Sequence, residues 1–212
     1  QCAGQRLHAD IVADWRKLSA RAWQAGFELT IASAYRSFDR QLAIWNDKAR
    51  GLRPVLDACE KPIDTSTLND DELLFAILRW SALPGASRHH WGTDLDIYDQ
   101  AVMPADNGQL QLCAAEVEGD GPFVALHNWL DAHFLQSAPH AFYRPYTQVR
   151  AASELGVSAE RWHISHRTVS CRYEALMSKD LLYTFYQSCS QLALKGLILK
   201  HFDTIYERFI RR

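Results

Sequence analysis

Apolar residues recur at helical spacing over Ile11, Val12, Trp15, Leu18 and Ala22, and Gly26 follows where a helix would stop. The spacing predicts an amphipathic first helix from about Ile11 to Trp23. Phe27-Glu28-Leu29-Thr30-Ile31 then alternates apolar and polar residues, as a half-buried strand does, and runs into a polar turn at Ser33 to Ser37. A second helix is predicted to carry Gln41, Ile44 and Trp45. A third, capped by Asn69, Asp70 or Asp71, runs through Trp80 until Leu83-Pro84-Gly85-Ala86-Ser87 stops it. Alternation returns at Thr93 to Tyr98 and predicts a second strand.

The stretch from Asp99 to Gly121 contains Pro104, Asn107-Gly108 and Gly119-Asp120-Gly121 and reads as a loop or small hairpin. Pro122 suits the first turn of a helix carrying Val124, Leu126, Trp129, Leu130 and Phe134. Ala141 to Tyr146 and Glu160 to Ser165 are short strand candidates. After Cys171 the pattern is helical to the end, with Leu182, Phe185, Ile198, Phe202, Ile205 and Phe209 among the residues available for burial. Short strands among clustered helices, without an internal repeat, predict an α+β fold rather than a doubly wound sheet. The expected organisation is a main domain over residues 1–170 and a helical C-terminal extension over 171–212, packed on the same domain.

Composition narrows the function classes. The chain has 212 residues, 48% of them hydrophobic and 23% charged, which excludes a disordered or collagenous protein. With 23 Lys and Arg against 25 Asp and Glu there is no bulk basic field, so nucleic acid and anionic lipid are not expected partners. The longest apolar run, Leu73 to Leu78, is far short of the roughly 18 residues of a membrane span. Gln1-Cys2-Ala3-Gly4 lacks a basic flank leading into an apolar stretch, so the expectation is either no export by the usual signal or a signal already removed. Cys2, Cys59, Cys113, Cys171 and Cys189 are odd in number and show no CxxC spacing, which argues against a zinc knuckle or a full disulfide framework and leaves one or two disulfides open.

The densest polar cluster is Ser87-Arg88-His89-His90-Trp91-Gly92-Thr93-Asp94-Leu95-Asp96, followed at a distance by Glu160-Arg161-Trp162-His163. Imidazoles plus a carboxylate are a zinc-ligand set that keeps a net positive charge, able to polarise a carbonyl and lower the pKa of water. Such a site also needs a carboxylate off the metal to move protons, and Glu160 is a candidate. His8, His127, His133, His140 and His201 are read as surface or core histidines.

Together with Ser33-Ala34-Tyr35-Arg36-Ser37-x-x-x-Gln41, the spacings Ser87-x-His89-x-x-Gly92-x-x-x-Asp96 and Glu160-x-Trp162-His163 resemble the VanY-type zinc D-alanyl-D-alanine carboxypeptidases. These form a wider group with lysostaphin-type peptidases and hedgehog domains. The resemblance spans Ser33 to His163 and implies a small antiparallel sheet flanked by helices. It implies one zinc per chain held by His89, Asp96 and His163, with Glu160 as general base. Arg36 then stabilises the oxygen of the scissile peptide or holds the substrate carboxylate, and Ser87 and Gln41 contact substrate. The bottom-up chemistry agrees, since Arg is a planar donor for a carboxylate and zinc a Lewis acid for a carbonyl.

Within the motif, Asp94 is a rival ligand or a partner behind the ligands, because strand alternation puts it on the face of Asp96. His90 is the rival for His89. Arg161 stands where the family often has Pro, and Ile164-Ser165-His166 replaces an aromatic-rich continuation. Trp91, Trp162, Tyr35 and Tyr143 are read as packing residues with a secondary reading as pocket wall or substrate contact. The implied function is a zinc D,D-carboxypeptidase acting on peptidoglycan stem peptides or muropeptides. L,D-carboxypeptidase or endopeptidase activity on the same site, and a non-catalytic zinc-containing binding domain, are the alternatives. The substrate implies the periplasm or cell envelope of a bacterium, with a cytoplasmic recycling role as the other option.

Overall fold

The computed structural model describes residues 4–103, 110–135, 140–148, 151 and 153–211. Gln1-Cys2-Ala3, Pro104, Asn107-Gly108 and the side chain of Phe134 lie outside the described residues. The chain divides into two compact units. One comprises Gln1–Tyr35, Trp91–Thr147 and Glu160–Arg172; the other comprises Arg36–His90, Gln148–Ala159 and Tyr173–Arg212. The units thus alternate along the chain, unlike the expected succession of 1–170 and 171–212.

The first unit carries the sheet. A 3-10 turn at Ala9–Ile11 leads into α1 (Val12–Gln24), which buries Trp15, Leu18 and Ala22 and ends before Gly26, at φ +92°. Strand β1 (Leu29–Ser33) pairs antiparallel with β2 (Asp94–Asp99), with a bulge between Ile31 and Ser33. β2 pairs antiparallel with β4 (His163–His166), and β4 with the two-residue β3 (Phe142–Tyr143), so the sheet order is β1-β2-β4-β3. Pleating turns Leu95, Ile97 and Ile164, all fully buried, away from the face that carries Asp94, Asp96 and His163. The segment between Asp99 and Gly121, expected as a loop or small hairpin, contains among its described residues a 3-10 turn at Gln100–Val102 and a short helix α4 (Ala114–Val117). Helix α5 (Val124–Leu135) follows and buries Leu126 and Leu130.

The second unit is helical. α2 (Phe38–Ala49) starts at Ser37, whose hydroxyl accepts from the Arg40 N–H. α3 (Asp70–Trp80) has a full capping box, with Asn69 and Glu72 each bonded to the other's backbone N–H. Beyond α6 (Arg167–Glu174), which bridges the boundary in sequence, come α7 (Lys179–Ser188), α8 (Lys195–Lys200), α9 (Phe202–Ile205) and a π turn at Tyr206–Ile210. The C-terminal helices are integral to this unit: Leu182, Tyr186, Ile198 and Phe202 share one buried cluster with Trp45, Leu74, Ile77 and Leu78. Asn46 locks them polar-to-polar, donating to the Gln191 carbonyl at 2.9 Å and accepting from the Ala193 N–H at 2.9 Å. No helix among the described residues is long and apolar enough to cross a membrane, and Cys59, Cys171 and Cys189 form no disulfide among the described residues.

Candidate metal centre

His89, Asp96 and His163 are buried and each offers one ligand atom, these atoms lying within 4.8 Å of one another. Two of them face each other by register: Asp96 on β2 is the direct partner of His163 on β4. Antiparallel pairing therefore converts a separation of many residues into a neighbouring pair, Asp96 Oδ1 standing 3.1 Å from His163 Nδ1. His89 is carried on the 3-10 turn Arg88–Trp91 that leads into β2. Gly92 sits between them at φ +66°, where a Cβ would stand 3.0 Å from the His8 backbone nitrogen, so any side chain there would be strained and crowd the His8 backbone.

Asp94 is the partner behind the ligands. It has no exposed surface; its Oδ2 accepts from the hydroxyls of Thr93 at 2.7 Å and Ser165 at 3.0 Å. Its Oδ1 lies 2.9 Å from His163 Nε2. A carboxylate in this setting accepts, so Nε2 carries a proton; Nδ1, 3.1 Å from the Asp96 carboxylate, carries a second one unless a metal takes its place. Burial opposes charge on His163, but the Asp94 and Asp96 carboxylates outweigh it and lift its pKa to about 9. The donor set fits a divalent transition metal: two imidazoles and one carboxylate, buried, one imidazole oriented by a second carboxylate.

Glu160 stands apart from this set and close to it, its Oε2 at 3.5 Å from His163 Nδ1. A tight turn places it there: the His163 N–H donates to the Glu160 carbonyl at 3.0 Å, and the Glu160 N–H donates to the Tyr146 carbonyl at 3.1 Å. Tyr146, whose role the sequence reading missed, also sets its ring edge-on to His163 at 4.9 Å. Arg161 beside it explains the departure from Pro. It points into a clamp on Asp131, with Nε at 3.0 Å and an Nη at 2.7 Å, while Arg144 Nε reaches the other carboxylate oxygen at 2.6 Å.

Arg36, Gln41 and Ser87 belong to the helical unit. The Arg36 guanidinium donates to Gln41 Oε1 at 2.9 Å, and Gln41 Nε2 donates to the Ala82 carbonyl at 2.7 Å. Gln41 is 1% exposed with both ends of its amide engaged, so its place in the fold is to hold Arg36. Ser87 is buried, and its carbonyl accepts from the His90 N–H at 3.0 Å. His90, the rival ligand, is turned elsewhere: its ring lies between the Gly85 N–H and the Arg36 carbonyl. Trp162 is buried, and Tyr143 lies under the Arg167 guanidinium at 4.7 Å, both as packing residues.

A family model for VanY, the D-alanyl-D-alanine carboxypeptidases, matches residues 4–169. The chain belongs to the VanY family. The fold agrees with solved VanY-type structures. One is VanYB in complex with D-alanine-D-alanine (TM-score 0.54, 20% identity, 81% of this chain and 77% of that one). Another is a mutant of the vancomycin resistance D,D-pentapeptidase VanY in complex with Zn(II) (TM-score 0.53, 21% identity, 82% and 80%). An uncharacterized protein of Haemophilus influenzae (strain ATCC 51907 / DSM 11121 / KW20 / Rd) is 43% identical over 77 residues, 36% of this chain and 53% of the relative. The VanY-family chain thus spans about half the length of that relative.

Proposed function

We propose that this VanY-family protein is a zinc-dependent D,D-carboxypeptidase that removes the terminal D-Ala from peptidoglycan stem peptides. The observation that carries the reading is the buried His89, Asp96, His163 set with the Glu160 carboxylate at its edge. A zinc-containing binding domain has no use for such a carboxylate. The VanY-type neighbours crystallised with Zn(II) and with D-alanine-D-alanine support the choice of metal and substrate class. His89, Asp96 and His163 would hold the ion. When bound, zinc supplies Lewis acidity toward a carbonyl oxygen and makes water more acidic.

The remaining work falls to the chain's own groups. Glu160 takes the proton of the attacking water at its carboxylate and hands it to the amine of the departing D-Ala. Asp94 keeps the His163 tautomer constant while charge changes beside it. Arg36, held by Gln41, offers a planar double donor to the free carboxylate that a substrate of this kind ends in. Such a substrate belongs to the bacterial periplasm or cell envelope, and we place the protein's action there as part of the same reading.

The test is incubation of zinc-loaded protein with a stem pentapeptide ending in D-Ala-D-Ala and, separately, with the tetrapeptide, products being read by mass spectrometry beside a chelator-treated control. Metal-dependent loss of one Ala from the pentapeptide is the expected result. Loss from the tetrapeptide alone would move the reading to L,D-carboxypeptidase. No cleavage of either with zinc bound would overturn the carboxypeptidase reading.

A further inference from the structure

His90, the second histidine of the Ser87–Asp96 cluster, takes no part in the chemistry above, and its surroundings are specific. Its Nε2 lies 3.0 Å from the Gly85 backbone nitrogen, which can only donate, so Nε2 is the acceptor and Nδ1 carries the proton. That Nδ1 is 2.6 Å from the Arg36 carbonyl, which can only accept. The two contacts therefore agree on one tautomer. The Arg36 N–H in turn donates to the His89 carbonyl at 3.0 Å, so Arg36 is tethered through both of its backbone polar groups.

The pocket is built for a ring. Gly85 presents its N–H from φ +92°, and a Cβ there would meet the Phe185 ring at 3.1 Å. Phe38 lies over His90 with ring centres 6.5 Å apart and meets Phe185 edge-on at 5.5 Å. A rigid plane with a donor on one side and an acceptor on the other is what this gap requires, and imidazole is the side chain that supplies both.

We propose that His90 is a positioning residue for Arg36: by bridging the Gly85 N–H to the Arg36 carbonyl it fixes the backbone from which the guanidinium reaches a substrate carboxylate. The inference rests on the carboxypeptidase reading for the identity of that substrate and on the hydrogen bonds alone for the bridge. With Gln41 holding the guanidinium and His90 the main chain, Arg36 is restrained at both ends, so carboxylate recognition costs little side-chain ordering.

Three variants of the zinc-loaded full chain test it: His90→Phe, which removes both bonds; His90→Asn, whose amide nitrogen can occupy the place of Nδ1; and His90→Gln, whose amide oxygen can occupy that of Nε2. Each is assayed on a D-Ala-D-Ala peptide with a free C-terminal carboxylate and on the same peptide amidated. His90→Phe and His90→Gln are expected to lose about tenfold or more in kcat/KM on the free acid, with little loss on the amide. His90→Asn is expected to recover most of the free-acid preference, and zinc affinity is expected to stay within about threefold in all three. Equal losses on both peptides, or none, would overturn the proposal. Ring nitrogen NMR of the wild type gives a readout independent of activity: the His90 signals, identified by their absence in a variant, are expected to show a protonated Nδ1 and a bare Nε2, and the opposite tautomer would overturn the bridge. Wild-type protein that cleaves neither peptide counts against the carboxypeptidase reading, while the tautomer still decides the bridge.

Discussion

His163 Nε2 stands 2.9 Å from Oδ1 of Asp94, a carboxylate with no exposed surface whose other oxygen is held by Thr93 and Ser165. This pair fixes which nitrogen of His163 is left for a metal. Substituting Asp94→Asn removes the charge and lets the amide present a donor to the ring, which favours the wrong tautomer. Zinc affinity is expected to fall by about 10- to 100-fold, as measured by competition with a chelating dye. Ser165→Ala, which loosens Asp94 without removing it, is expected to cost less. An Asp94→Asn protein with unchanged affinity would show that His163 needs no orienting partner.

Glu160→Gln separates chemistry from metal binding. The carboxylate lies 3.5 Å from His163 Nδ1, outside the set formed by His89, Asp96 and His163. The amide keeps the shape and the turn to Tyr146 but cannot take a proton. Zinc content and thermal unfolding are expected to match the wild type while kcat on a D-Ala-D-Ala peptide falls by roughly 10² to 10⁴. Retained turnover would remove Glu160 from the reaction.

How much of this was readable beforehand depends on range. Helices and strands with clean periodicity appear within a few residues of expectation, as with α1, α3 with its Asn69 cap, and β2. The candidate ligand set, His89, Asp96 and His163, came from the resemblance to the VanY motifs, and the structure brings those three side chains together; alternation alone puts Asp94 and Asp96 on one face. Gln41 and Ser165 were harder. Their partners, Ala82 and Asp94, are chosen by tertiary pairing, and nothing local in sequence marks an amide spent on holding an arginine. The C-terminal helices read as an appendage for the same reason: their partners, Trp45 and Leu74, lie more than a hundred residues upstream.

Asp131 holds two arginines at once, Arg144 and Arg161, and so ties the segment carrying Tyr146 to the turn carrying Glu160. Arg144 is the more buried of the two, with 8% of its side chain exposed against 21% for Arg161. Removing the shared carboxylate strands a buried cation, whereas removing Arg161 leaves the Arg144 pair intact. Asp131→Ala is expected to cost about 2–4 kcal/mol in denaturant unfolding, discounted from the fully buried case because Asp131 keeps some solvent. Arg161→Ala is expected to cost less than half as much, and equal losses would mean that stranding Arg144 adds nothing to the loss of the Arg161 bonds.

His127 gives the first unit an acid sensitivity of its own. It has no exposed surface; Arg144 donates to its Nδ1 at 3.2 Å, and its Nε2 has no hydrogen-bond partner among the described residues. Burial, with the positive charges of Arg144 and Arg161, pushes its pKa down to about 3, against a weaker upward pull from Asp131. A histidine in the unfolded chain takes its proton near pH 6.5. Between that pH and about 3 the unfolded state therefore binds the extra proton, and stability falls as pH falls, with a slope approaching about 1.4 kcal/mol per pH unit from this one group. His127→Phe keeps the bulk but cannot titrate. It is expected to be less stable at pH 7, for want of the Arg144 bond, yet to lose less between pH 6.5 and 4 than the wild type when denaturant midpoints are followed across that range. Parallel curves for the two proteins would assign the acid sensitivity to other groups.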